Sequence, residues 1–148
     1  MKEAEAERLY GRILRQVEKE LGNDTTYGST LTTVGKELFG NRYRGTFASN
    51  EVPPPLLVNG EYCIINLDKT WQEGSHWVGC VYDNNRYYFY DSFGRPGKQL
   101  KLEALEGKKV IDADLDPEQL VSQTNCGQRC LAWLWFADRY GVDNALLI

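Results

Sequence analysis

The stretch Cys130-Leu131-Ala132-Trp133-Leu134-Trp135-Phe136-Ala137 constrains the fold more than any other part of the chain. At helical spacing it is apolar on nearly every face, so a helix there must be buried on most sides. Gly141 supplies a C-terminal cap, and the polar loop from Asp116-Pro117 to Asn125 places the helix start at Cys126. Such a helix is central and packs against a sheet.

The strands for that sheet follow one another closely. Tyr62 to Leu67, His76 to Tyr82 and Arg86 to Phe93 are short runs rich in β-branched and aromatic residues. Asp83-Asn84-Asn85 separates the last two as a hairpin turn, and a weaker strand is expected over Lys109 to Ile111. Upstream, Leu9, Ile13, Val17 and Leu21, with Tyr10 and Leu14 beside them, mark an amphipathic helix over residues 3 to 21 that ends at Gly22-Asn23-Asp24. A second helix is expected from Leu31 to Phe39, with Ser29 or Thr30 as N-cap and Gly40-Asn41 as C-cap. Both helices are expected to pack on the core, the first being also a candidate contact for a partner. Residues 41 to 60, with Pro53-Pro54-Pro55 and an Asn59-Gly60 turn, are expected to be loop. The fold class is therefore α+β. No repeat or low-complexity stretch divides residues 1–148, which are expected to form one domain, with a helical lead-in over 1–40 and a core of strands and helix over 61–141.

Composition removes several classes of function. Twenty-one acidic against 17 basic side chains leave a net charge of −4, the wrong sign for a general phosphate-binding surface. Nucleic acid is not an expected partner. The apolar run at Cys130–Ala137 is far shorter than the roughly 20 residues that cross a bilayer, and the N-terminus lacks the basic start and apolar core of a signal peptide. The chain is expected to be neither secreted nor membrane-bound, and the cysteines at 63, 80, 126 and 130 match neither a small secreted disulfide framework nor paired CxxC zinc motifs. Free thiols are expected. His76 is the only histidine, which excludes a multi-histidine metal site and fixes where any imidazole chemistry must occur. No metal or cofactor is expected.

Hairpin arithmetic gives that histidine a neighbour. If the turn is centred between Asp83 and Asn84, His76 lies opposite Asp91; centred on Asn84, it lies opposite Ser92. Opposed residues have Cβ atoms about 4.5 to 5.5 Å apart, from which a carboxylate can accept an imidazole N–H and stabilise the imidazolium. Cys126 adds a thiol at a helix N-terminus, where unpaired N–H groups and the helix dipole favour the thiolate. Gly127 beside it allows a substrate backbone to approach. Taken singly, each of these has a bland alternative: an exposed histidine, a turn aspartate, a buried inert thiol. Cys63, Cys80 and Cys130 are read as core. An oxyanion would need a further donor, and Gln119 or Gln123, seven and three positions before Cys126, could each offer a carboxamide.

The ordered set His76-Trp77, Asp91 within Tyr90-Asp91-Ser92-Phe93-Gly94, Gln119 and Cys126-Gly127 resembles the adenovirus-type (adenain-like) maturation cysteine proteases. More distantly it resembles the SUMO-protease superfamily of papain-like cysteine proteases. The likeness lies in residues 74 to 100 and 119 to 136, and extends weakly to Arg44-Gly45-Thr46-Phe47 and Tyr62-Cys63-Ile64-Ile65-Asn66, about half the chain.

The resemblance implies a papain-like fold in which a His/Asp hairpin packs on a central helix opened by the nucleophile. It also implies a viral endopeptidase, a monomer, that cuts capsid and structural precursors at glycine-containing sites. His76, Asp91 and Cys126 would be its triad, Gln119 its oxyanion donor, and Trp77 would narrow the substrate groove. The expected location is the virion or the interior of an infected cell. Activation by DNA or by a disulfide-tethered peptide is not assumed, because the charge is negative and residues 101 to 118 hold no cysteine; an activating peptide stays an open partner. The same residues would also suit an isopeptidase for ubiquitin-like modifiers or an acetyltransferase. A non-catalytic capsid-binding module is a third expectation.

Overall fold

A computed structural model describes residues 1–52, 57–72 and 76–148. In chain order its elements are α1 (Glu3–Leu21), α2 (Gly28–Phe39), β1 (Tyr43–Ala48), β2 (Glu61–Asn66), β3 (Trp77–Asp83), β4 (Arg86–Tyr90), β5 (Val110–Asp112), α3 (Cys126–Tyr140) and α4 (Val142–Ala145). The five strands form one mixed sheet in the order β1-β2-β3-β4-β5. Its outer pairs, β1/β2 and β4/β5, are parallel and its inner pairs antiparallel.

Period-2 alternation divides the strand residues between two cores. Tyr62, Ile64, Val81, Tyr88 and Tyr90 join the helices on one face. Cys63, Ile65, Val78, Cys80, Tyr87 and Phe89 pack under Leu57, Leu102 and Leu105 on the other. On the helical face, every α3 residue from Cys126 to Ala137 except Trp135 is buried, as the apolar run requires. Trp133 stacks on Tyr90 at 5.3 Å and donates Nε1–H to Ala145 O at 2.9 Å, tying α4 to the core. α1 covers α3 with Ala6, Tyr10, Ile13, Leu14 and Val17. Leu9 and Leu21, at the margins of the apolar stripe, are only partly buried. α2 crosses close to β1 at Gly35, where a Cβ would come within 2.6 Å of the Tyr43 ring.

Four expectations change. The hairpin turn is Asn84-Asn85, both with positive φ (50° and 61°), as a two-residue type I′ connection requires. Asp83 therefore pairs with Arg86 and Gly79 with Tyr90, which moves the register beyond both centres considered from sequence. β4 stops at Tyr90 rather than Phe93, and Asp91 belongs to the turn that follows. α2 starts at Gly28 rather than Leu31, with Tyr27 in the capping position and no side-chain cap from Ser29 or Thr30. Residues 43–48, expected to be loop, form β1, whose ladder is supplied by the parallel partner β2. Pro53-Pro54-Pro55 lies outside the described residues, as do Gly74 and Ser75 of the histidine segment. Among the described residues, no helix is long and apolar enough to cross a membrane, and all four cysteines are unpaired.

Candidate active site

Three elements bring their ends to one place: the start of α3, the start of β3 and the turn after β4. Cys126 is the first residue of α3 and is 7% exposed. Its own N–H is among the first-turn donors that have no partner within a helix. His76 immediately precedes β3, its backbone carbonyl accepting Leu67 N–H at 3.0 Å, so β2 fixes the segment that carries the imidazole.

Asp91 has a fully buried side chain and three donors. His76 Nε2 lies 2.8 Å from Oδ1, Phe93 N–H donates to the same oxygen at 2.8 Å, and Arg95 Nε–H donates to Oδ2 at 2.8 Å. The turn is closed by Gly94 N–H donating to Asp91 O at 2.8 Å. Gly94 has φ +75°, and a Cβ there would stand 2.6 Å from Leu115 O, so glycine is required on both counts. The corrected register extrapolates to His76 opposite Phe93, and the two rings stack at 4.5 Å. Asp91 thus reaches His76 diagonally rather than directly across the hairpin.

Electrostatics favour the charged forms of all three groups. Burial pushes the Cys126 thiol up, but the hydrogen bond with His76 and those from the N–H groups of Trp77 and Gly127 outweigh it and leave the pKa lowered. Burial likewise opposes the imidazolium, yet Asp91 and Cys126 together hold His76 above its ordinary 6.5. Asp91 stays below the usual carboxylate range despite burial, through His76, Phe93 N–H and Arg95. With Nε2 bonded to Asp91, Nδ1 is the nitrogen left for the thiol. Both shifts run toward a thiolate–imidazolium pair, and such a pair is nucleophilic.

Gln119 is 5% exposed. Its Oε1 accepts Ser92 Oγ–H at 2.5 Å and its Nε2 donates to Gln123 O at 2.6 Å, which leaves one amide hydrogen without a partner among the described residues. Gln123 is exposed and closes the surface turn by accepting Leu120 N–H at 2.8 Å. Trp77 donates Nε1–H to Thr26 O at 3.2 Å. A recess of about 380 Å³ opens beside it, bordered by Gly28, Thr46, Glu51, Asn66, Asp68 and Trp77. A larger one of about 530 Å³, along Lys98, Lys101 and Leu105, is bordered by neither Cys126, His76, Asp91 nor Gln119. At Gly127 a Cβ would meet Thr26 Oγ1 at 2.6 Å and Leu31 at 3.1 Å. The close approach this glycine permits on that side is by the chain's own α1–α2 connection, not by a substrate backbone.

That connection depends on a residue the sequence did not single out. Gln128 has no exposed surface, and its Nε2 donates to Gly22 O and Asp24 O at 2.9 and 2.7 Å while Oε1 accepts Thr26 Oγ1–H at 2.9 Å. One carboxamide thereby straps residues 22–26 to the start of α3 and, through Thr26 O, to Trp77. Asn125 is tied to α1 as well, donating to Glu18 Oε2 at 3.4 Å. The available signal was a glutamine inside an apolar helix, two positions after the cysteine. Arg95 and Phe93 were also missed, because their roles depend on the turn after β4.

For a metal ion, Asp114, Asp116 and Glu118 bring carboxylate oxygens within 4.8 Å of one another, away from Cys126 on the α1 side. Nothing else at that position points to a cation. No known protein-family model matches the chain, and no curated protein matches it either.

Proposed function

We propose that the protein is a cysteine endopeptidase of the adenovirus-type maturation class, within the papain-like SUMO-protease superfamily, acting on viral capsid and structural precursors at glycine-containing sites. The observation that supports this best is the single histidine held between Asp91 and Cys126, with the thiol pKa lowered although the cysteine is buried. A binding module has no use for a buried thiol whose pKa is held down against desolvation. The motif order His76-Trp77, Asp91, Gln119, Cys126-Gly127 supports the family assignment, and the recess of about 380 Å³ beside Trp77, the residue after His76, offers a place for substrate.

The Cys126 thiolate attacks the scissile carbonyl. Its N–H and the free amide hydrogen of Gln119 bind the oxyanion, and His76 as imidazolium protonates the leaving amine. His76, neutral again, takes a proton from water, which hydrolyses the thioester and regenerates the ion pair. Asp91 orients the ring and stabilises its charged form throughout.

Incubation with precursor protein tests the assignment. Cys126→Ala should abolish cleavage without changing the circular dichroism spectrum, and cleavage that persists in this variant would refute it. A parallel panel of ubiquitin-like C-terminal fluorogenic substrates separates endopeptidase from isopeptidase: turnover of the panel with intact precursor would replace the proposed substrate class.

A further inference from the structure

Arg95 stands outside the triad, yet it engages two of the groups that hold His76. Its Nε–H occupies Asp91 Oδ2 at 2.8 Å, the carboxylate oxygen that neither His76 nor Phe93 N–H uses. Its guanidinium carbon lies 5.3 Å from the Phe93 ring centroid, and Phe93 stacks on His76 at 4.5 Å. Guanidinium, phenyl and imidazole therefore form a layered series whose two ends are both tied to one buried carboxylate.

We propose that Arg95 is a positioning residue of this site, locking Asp91 and His76 in place and lowering the pH window in which Cys126 and His76 form an ion pair. The proposal rests on the cysteine-nucleophile reading above. A fixed cation near the pair stabilises the thiolate and disfavours the imidazolium, so both ends of the window move to lower pH. Asp91 acts in the opposite sense on the imidazole. The ionisable groups that face His76 are Asp91 and Cys126, and Arg95 lies beyond Phe93. Cys130, behind Cys126, remains a thiol because burial pushes it well up. Arg95 is 38% exposed at its side chain, so its replacement leaves the core intact, and partial solvent access limits its effect to about half to one pH unit.

The test is the alkylation rate of Cys126 by iodoacetamide, mapped by mass spectrometry from about pH 4 to about pH 9, in the unaltered protein, Arg95→Gln and Arg95→Lys. Arg95→Gln should raise the thiolate midpoint by about half to one unit, which is about three- to ten-fold slower alkylation on the acid side. Arg95→Lys keeps the charge and should leave the midpoint within a few tenths of a unit. An Arg95→Gln midpoint that does not move, or an Arg95→Lys midpoint that moves as far, overturns the role given to Arg95 while leaving the nucleophile in place. Cys126 in the unaltered protein reacting no faster than free cysteine at pH 6 overturns the nucleophile reading itself.

Discussion

Two buried polar clusters flank the start of α3, and burial has opposite outcomes in them. At His76, Asp91 and Cys126 the shifts favour the charged forms, because each meets an opposite charge or a hydrogen-bond donor directed at it. On the α1 side, Tyr10, Tyr90, Glu118 and Arg129 are packed as closely, with the two tyrosine hydroxyls 2.8 Å apart and Arg129 Nη1 3.4 Å from Tyr10. There desolvation dominates at the tyrosines and Glu118, while Arg129 keeps its charge. Both tyrosines are pushed far up, and Glu118, facing Glu7 and Asp114 with Oε1 unpartnered among the described residues, rises to about 8. Burial by itself neutralises an acid; partners in contact are what keep it charged. The difference sets the proposed chemistry in the first cluster apart from pH-dependent stability in the second.

The largest expected effect comes from removing a partner at the first cluster. Asp91→Asn leaves the shape but removes the charge that favours the imidazolium, and kcat should fall on the order of 10²-fold or more. Precursor cleavage rates would show it, and a kcat within a few-fold of the unaltered protein would mean that the two clusters do not differ as described. Next is the strap. Gln128→Leu leaves Gly22 O, Asp24 O and the Thr26 hydroxyl without their partner and should cost about 2–3 kcal/mol in urea unfolding. Because the strap also holds Trp77, KM should rise in this variant more than kcat falls.

The smallest effect sharpens the second cluster. Glu118 has a folded pKa of about 8 against an ordinary 4.5, so its contribution to stability is fully present below the ordinary value and is lost as pH rises through about 8. Glu118→Gln should be nearly neutral at pH 4.5 and stabilising at pH 8 by about 2 kcal/mol, less than the full shift implies because the carboxyl is partly solvated. Urea denaturation at the two pH values checks this, and equal differences at both would contradict it.

The sequence made α3 legible at both ends, since an apolar run on every face, a C-terminal Gly141 and a polar approach to Cys126 are all local signals. The proximity of His76 to Asp91 was legible too, though its register was not. Asn84 and Asn85 both take the left-handed conformation that asparagine tolerates, and the strands shift accordingly. β1 was hidden because Arg44-Gly45-Thr46 interrupts apolar alternation and its ladder comes from a distant parallel strand. The start of α2 was hidden for a similar reason: Gly28-Ser29-Thr30 reads as a cap, while Thr26, bonded to Trp77 and Gln128, fixes the chain just before it. Gln128 and Arg95 depend on partners that only the fold supplies.

Because His76 is the only histidine, its imidazole gives an unambiguous NMR titration, and this tests most directly whether Cys126 and His76 form an ion pair. The ring should titrate above the ordinary 6.5, and its midpoint should fall in Cys126→Ala, where the thiolate is gone. A midpoint at or below 6.5 that Cys126→Ala leaves unchanged would contradict the ion pair and the function built on it.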